Sequence, residues 1–331
     1  MNKILVTGGA GFIGAHLTQK LVEQNHKVMV VDTITKIGGI PFINPRCNFL
    51  KGDITSSKTI KKIEKWKPKI IFHLAAQSGG ESAYDDPKKD YLSNGYGTYL
   101  LSIMAKKINV KHFIYTSSVA VYGSNPKKKI TEKTNIDPDS IYGISKYIGE
   151  MFISQVLQQT KIKTTIFRVF NTYGPGENLN FMKKGMVSIY SSFVWKKKPI
   201  IVKGSLKRFR NLNYIEDTVN ILINSLKNKN LKKNEIINLT SGKIFTVKKL
   251  IKEILLTKNY KKYKIVIAKG TPGDSFGWNA SSRYIEKKFN NYKFTDLKIG
   301  LKKYFKWIDK LPVNKNLKNH HPLEIKRKNE L

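Results

Sequence analysis

The first fourteen residues constrain this chain more than any other stretch. Lys3-Ile-Leu-Val-Thr-Gly-Gly-Ala-Gly-Phe-Ile-Gly14 joins a short apolar run to spaced glycines and then to a helical pattern. Ile4, Leu5 and Val6 suit a parallel strand buried on both faces. Gly8, Gly11 and Gly14 follow, and Phe12 and Ile13 open an apolar periodicity that continues through Leu17, Leu21 and Val22. Strand, glycine turn and helix together form the context in which a glycine fingerprint means dinucleotide binding. Glycine allows the tight turn and lets the backbone approach a pyrophosphate. The helix N-terminus then offers N–H groups and a partial positive charge to the anion.

Lys27-Val-Met-Val-Val-Asp32 reads as the next strand and ends in an acid. Asp32 stands where a carboxylate accepts bonds from an adenosine ribose. A carboxylate there repels a 2′-phosphate, so the expected cofactor is NAD(H) rather than NADP(H).

Strands and helices go on alternating. Asn48 to Asp53 and Lys69 to Leu74 read as strands, with a helix from Ser57 to Trp66 between them. Pro87 to Lys107 reads as one long helix, Lys111 to Ser118 as a strand, Ile141 to Gln159 as a helix and Lys163 to Phe170 as a strand. This order predicts an α/β fold, a Rossmann-type doubly wound parallel sheet with ligands beyond the carboxyl ends of its strands. After Asn171 the elements shorten, which suggests a smaller α/β substrate domain interleaved with returns to the sheet. The expected division is 1–172 plus about 212–240 for the dinucleotide domain, 173–211 plus about 241–310 for the substrate domain, and a polar tail from 311.

The net charge of +38 is the unusual number, yet only six of the 61 basic residues are arginine. The lysines are dispersed, and a drift toward A/T-rich codons accounts for them. No nucleic-acid reader motif accompanies them, so no specific nucleic-acid partner is expected. No apolar run is long enough to span a membrane, and no signal peptide precedes the first strand. Cys47 is the only cysteine, which leaves no internal disulfide and no cysteine metal site. No metal is expected, and the location expected is cytoplasmic.

Tyr142-Gly-Ile-Ser-Lys146 sets a phenol and an ammonium one helical turn apart. Ser117-Ser118 ends the preceding strand. A tyrosine is a poor base at neutral pH because its pKa is about 10. A nearby lysine charge and a cationic nicotinamide would lower that value, and a serine hydroxyl can share the proton path. Such a set takes a proton from a substrate hydroxyl while hydride leaves the same carbon.

With these residues in place, the chain resembles an extended short-chain dehydrogenase/reductase of the nucleotide-sugar epimerase/dehydratase group. The matching segments run in order from Lys3 to Asp309. Besides the fingerprint they include Gly52-Asp53, His73-Leu-Ala-Ala76, Asn94, Ser117-Ser118, Tyr142 with Lys146, Arg168-Val-Phe-Asn171, Arg210 and Pro272-Gly-Asp274. The resemblance implies that Ser118, Tyr142 and Lys146 form a catalytic triad, with Lys146 also bonding the nicotinamide ribose. It implies that Asp53 and Ile54 flank adenine, that Ala75, Ala76 and Phe170 line the nicotinamide side, and that Leu74 and Asn94 complete the cofactor contacts. Asn171 and Arg210 would hold the diphosphate region of a nucleotide sugar, beside Ser118 and Tyr142. Where many epimerases of the group carry a phosphate-binding arginine, this chain has Thr271, which leaves that task to Arg210, Arg208 or a lysine. Members of the group also pair the helices at 87–107 and 141–159 across a two-fold axis, so a homodimer is expected.

The group's 4,6-dehydratases carry Asp-Glu at the two positions occupied here by Val119 and Ala120. Neither side chain transfers protons. The implied activity is therefore that of a UDP-glucose 4-epimerase-like enzyme working through a transient 4-keto sugar. The alternatives are an NADH-dependent reductase of a 4-keto sugar and a non-catalytic NAD-binding regulator.

Overall fold

The computed structural model describes residues 1–33, 42–124, 129–182, 185–270 and 275–311. The expected polar tail and the Thr271 to Asp274 segment lie outside the described residues. β1 (Lys3–Thr7) leads through the glycine turn into α1 (Phe12–Glu23) and β2 (Lys27–Asp32). β3 (Asn48–Lys51), α2 (Ser57–Trp66) and β4 (Ile70–His73) follow, then the short helices α3 (Gly80–Asp85) and α4 (Pro87–Asp90). α5 (Gly97–Lys107), β5 (His112–Ser118), β6 (Lys129–Ile130), α6 (Ile141–Leu157) and β7 (Lys163–Val169) complete the first half.

The second half opens with β8 (Asn171–Tyr173), α7 (Met186–Trp195), β9 (Ile200–Lys203) and β10 (Phe209–Tyr214). α8 (Ile215–Asn224), β11 (Asn234–Leu239), β12 (Ile244–Thr246), α9 (Val247–Thr257) and β13 (Ile265–Ala268) come next. β14 (Asn279–Ala280), α10 (Arg283–Lys288) and α11 (Leu297–Ile308) end it.

Seven parallel strands form the central sheet in the order β11-β7-β5-β4-β1-β2-β3. The strand order reverses beside β1, between β2 and β4, and a crevice opens at such a reversal. Side chains alternate across the sheet as strand geometry requires. Ile4, Val6, Val30 and Phe72 enter one core layer, while Leu5, Met29, Val31 and Ile71 enter the other. Because helices cover both faces, the strands read as continuous apolar runs.

The expected long helix is continuous but not uniform. Between α4 and α5, Tyr91–Tyr96 winds as a π-helix. The wider turn buries Asn94 and Gly95 against α6. Apolar periodicity carries no mark of this widening. The second half also contains strands that alternation did not reveal. β10 pairs with β8 in parallel and with β12 in antiparallel fashion. Its sequence, Phe-Arg-Asn-Leu-Asn-Tyr, buries Arg210, Asn211 and Asn213. Each donates to a distant segment: Asn213 Nδ2 to the Leu239 carbonyl (2.8 Å), Asn211 Nδ2 to the Lys243 carbonyl (3.2 Å) and Arg210 Nη2 to the Ser275 carbonyl (2.9 Å). Burying polar groups in this way requires tertiary partners, which local sequence does not show.

α6 is fixed to the sheet by a buried ion pair. Arg168 on β7 donates from Nε and Nη2 to the two Glu150 oxygens, at 3.0 and 2.7 Å, and both side chains are 4% exposed. Ser117 donates to the same carboxylate, and Arg168 Nη1 donates to the Tyr122 hydroxyl (2.8 Å). Removing one partner of such a pair strands the other charge, which typically costs about 3–5 kcal/mol. Glu150→Ala is therefore expected to lower unfolding stability by that order, seen as a lower guanidinium midpoint. An unchanged midpoint would show that the pair does not anchor α6.

Candidate active site

The carboxyl ends of β1, β2, β4, β5 and β7 open onto one cavity of about 1060 Å³, closed on the far side by α7, β9 and β10. That volume is at the upper end for a small-molecule site. Every site residue expected from sequence lines it except Asn94.

The glycines of the first turn have separate reasons to be glycine. Gly8 has φ +71°, and a Cβ there would come within 2.6 Å of the Ala75 backbone nitrogen. A Cβ on Gly14 would stand 2.1 Å from the Gly8 carbonyl oxygen, so this residue sets how closely α1 approaches β1. Gly11 differs. A Cβ there would meet only the Gly8 carbonyl, at 3.3 Å, and otherwise open space. The fold does not demand glycine at 11; the space in front of the helix does. Gly11 is the N-cap of α1 and makes no side-chain cap, and the first turn holds no acid. Orphan N–H groups facing a bare space suit an anion such as a pyrophosphate.

Asp32 Oδ2 accepts from the Ala10 N–H (3.0 Å), tying the end of β2 to the same turn. Asp53 and Ile54 follow β3 directly. Asp53 lines the cavity, and its Oδ1 accepts from the backbone and hydroxyl of Thr55, both at 2.8 Å. Phe12 and Ile13 at the helix start, Leu74, Ala75 and Ala76 after β4, and Phe170 after β7 line the wall between this end and the triad.

Ser118 ends β5, and Tyr142 and Lys146 rise from the first turns of α6. The Ser140 hydroxyl accepts from the Gly143 N–H (3.1 Å) and caps this helix. The Ser118 hydroxyl lies near enough to the Tyr142 phenol to favour its ionised form, and its Oγ accepts from the Ala120 N–H (3.2 Å). Lys146 is 2% exposed, with Nζ 4.2 Å from the centre of the Tyr115 ring.

The electrostatics differ from the sequence expectation. Burial pushes the Tyr142 phenol up to about 12; the Ser118 hydrogen bond opposes this and the Asp90 charge adds to it. Burial pulls Lys146 down to about 7, against the attraction of Glu150 and Asp90. Burial disfavours both charged forms, so the activation expected of Lys146 together with a cationic nicotinamide cannot fall to the lysine alone. A further positive charge in the cavity is required to bring the phenol into range.

Asn94 takes a different place from the cofactor contact expected of it. It lies fully buried behind the wall, where its Oδ1 accepts from the Gln77 N–H (2.9 Å) and its Nδ2 donates to Ser145 Oγ (2.9 Å). It shapes the loop after β4 without reaching the cavity. Asn171 does line the cavity, and its Nδ2 is a buried donor with no partner among the described residues. Arg210 is held by the carbonyls of Phe209 (2.8 Å), Ser275 (2.9 Å) and Phe276 (3.2 Å), and its guanidinium lies 4.9 Å from the Trp278 ring. Burial, and then the positive Arg208 beside it, pull Arg210 down to about 10. Two buried guanidinium groups side by side favour an anion between them. Tyr190, Trp278, Gln77 and Lys203 also line the cavity and were not singled out from sequence. They arrive from four separate segments, so no local motif joins them.

A glycine-turn cradle facing a Ser–Tyr–Lys set across one cleft defines a nicotinamide-dependent enzyme of the Rossmann class. The chain belongs to the NAD dependent epimerase/dehydratase family, whose model matches residues 4–240. A Methanocaldococcus jannaschii protein named provisionally as a UDP-glucose 4-epimerase is 33% identical over 248 residues, 75% of this chain and 79% of that one. Human dTDP-D-glucose 4,6-dehydratase is 30% identical over 261 residues, 76% of this chain and 73% of its own. The crystal structure of Thermotoga maritima UDP-glucose 4-epimerase with UDP-glucose superposes with a TM-score of 0.86 at 29% identity, covering 93% of this chain and 99% of that one.

The glycines provide a paired test. Gly14→Ala forces the α1 backbone off the turn, and overpacking of this kind typically costs about 1–3 kcal/mol, so its melting temperature should fall. Gly11→Ala should melt like wild type yet bind NAD far more weakly by calorimetry. Wild-type NAD affinity in Gly11→Ala would rule out this turn as the pyrophosphate site.

Proposed function

We propose that this chain is an NAD-dependent epimerase that inverts C4 of a nucleotide-activated sugar, with a UDP-sugar the first candidate. The observation that carries this reading is the pair Val119 and Ala120. Both are buried at the cavity wall directly after Ser118. Dehydratases of the group place their acid and base at these positions. Without them the site offers no proton transfer for eliminating water, although a dehydratase is among the relatives.

NAD, when bound, supplies an acceptor for the C4 hydride and gives the same hydride back. The chain supplies the proton path and the geometry. Tyr142 Oη receives the C4 hydroxyl proton, and Ser118 Oγ hydrogen-bonds the same substrate oxygen. Lys146 bonds the nicotinamide ribose from the same helix face. Asn171 Nδ2 and the Arg208/Arg210 pair hold the diphosphate, and the ketone turns about that anchor before the proton and hydride return on its other face. We assign residues 1–172 and about 212–240 to the cofactor half, and 173–211 with about 241–310 to the substrate half. Work in the cytoplasm, where nucleotide sugars and NAD meet, fits this chemistry, and among the described residues no helix is long and apolar enough to cross a membrane.

We also propose a homodimer through α5 and α6. The two helices pack side by side, and Tyr91, Tyr96, Ile103, Ile144 and Met151 stand exposed on them or on the π-turn beside them. Apolar side chains gathered on one face mark an association surface. Sedimentation should find a dimer at micromolar concentration, and Ile144→Lys should shift it to monomer. A monomeric wild type would remove this proposal.

With UDP-glucose or a related nucleotide sugar, the purified protein should exchange C4 stereochemistry without added cofactor and retain a C4 deuterium in the product. Tyr142→Phe should cut turnover by about 10²–10⁴-fold, the usual worth of a positioned general acid–base group, while NAD binding persists. Loss of the label to free NADH would favour the 4-keto reductase. Release of water from the sugar would defeat both readings.

A further inference from the structure

Behind the cavity wall lies a buried carboxylate that the reaction as described does not use. Asp90, the last residue of α4, is fully buried and does not line the cavity. Its Oδ2 accepts from Ser145 Oγ (2.9 Å) and from Asn94 Nδ2 (3.3 Å); Oδ1 is buried with no partner within hydrogen-bonding distance among the described residues, although the Gln77 amide nearby favours its charge. A carboxylate so enclosed is costly unless a charge answers it. Ser145 immediately precedes Lys146, whose buried ammonium rests on the Tyr115 ring. We propose that Asp90 is a positioning residue for Lys146: its bond to Ser145 fixes the turn of α6 that carries the lysine, and its negative charge keeps the ammonium protonated.

This inference rests on the reading of Lys146 as the site lysine. The charged and titratable neighbours are few. From α6 come Tyr142, Lys146 and Glu150, and from the segment before α4 comes Asp86. From the sheet come Tyr115 and His73, the latter a buried imidazole pulled down to about 3 by burial and then by Lys146. Lys146 is the only cation among them, and Asp90 and Glu150 are the two carboxylates that hold its proton. Glu150 exerts the larger pull although it also binds Arg168, and Asp90 adds a second negative charge. Asp90 has no cation in contact, and burial pushes it up to about 6, with Lys146 pulling the other way. The two groups therefore sustain one another's charge across the α4–α6 contact.

The test needs neither cofactor nor substrate. Chain labelled with ¹³C at the lysine ε-carbon is titrated by NMR, and the Lys146 signal is assigned as the one lost in Lys146→Arg. Its midpoint should lie near 7. Asp90→Asn keeps both accepted hydrogen bonds and removes the charge. Its Lys146 should hold the proton about tenfold more weakly, the usual effect of losing a close opposite charge. An unchanged midpoint overturns the proposal. If Asp90→Asn does not fold, the reciprocal measurement serves. In Lys146→Met, the Asp90 carboxyl, read by ¹³Cγ labelling, should bind its proton about tenfold more tightly, because coupling between two sites is mutual. No change there also overturns it. Absence of epimerase activity in the wild type would defeat the functional reading while leaving either titration to stand.

Discussion

The close approach of α1 to β1 is the constraint on which the rest of the structure depends. Gly14 meets the Gly8 carbonyl where no side chain would fit, and Gly8 lies against the backbone of Ala75 after β4. These two contacts join the first strand, the first helix and the neighbouring strand at the reversal of the sheet. They bring the positive end of α1 to the crevice that the reversal creates. The cavity, the Asp32 contact and the apolar wall of Leu74, Ala75 and Ala76 all follow from that junction.

The opposite wall is built on different physics. Here α6 must hold a phenol and an ammonium inside a low-polarity site, and burial acts against both charged forms. The surrounding buried groups answer that cost at a distance. Glu150 is bound to Arg168 and Ser117, which fixes the helix, while Asp90 is bound to Ser145 and Asn94, one residue from the lysine. The site is therefore electrostatically incomplete in the protein alone. Tyr142 and Lys146 would stand beside a bound nicotinamide, whose cationic form would supply a further positive charge, so the proton chemistry would depend on cofactor binding. That condition suits an enzyme whose cofactor is regenerated within each turnover.

Between the two walls, selectivity among the reactions of the family comes down to what the residues after β5 lack. Val119 packs into the small core cluster around Phe170 and Trp278, and Ala120 is buried beside it at the cavity wall. Their apolar side chains leave oxidation and return of the same hydride as the chemistry the residues can carry. On the far side of the cavity, Asn171 offers a buried donor with no partner among the described residues, and Arg208 and Arg210 stand together although they repel.

The sequence by itself determined the doubly wound parallel sheet, the glycine turn, the acid that ends β2, and the spacing of Ser118, Tyr142 and Lys146. Each of these rests on spacing along one or two adjacent elements, and local spacing survives into the fold. Tertiary structure alone decided the rest. The strand β10, which pairs with β8 and β12, carries two buried asparagines and a buried arginine with partners in remote segments, so no alternation marked it. The π-turn at Tyr91–Tyr96 set Asn94 behind the wall instead of on it. The proton affinities of Tyr142 and Lys146 were likewise set by burial, which depends on every element packed around them and on no one stretch of chain.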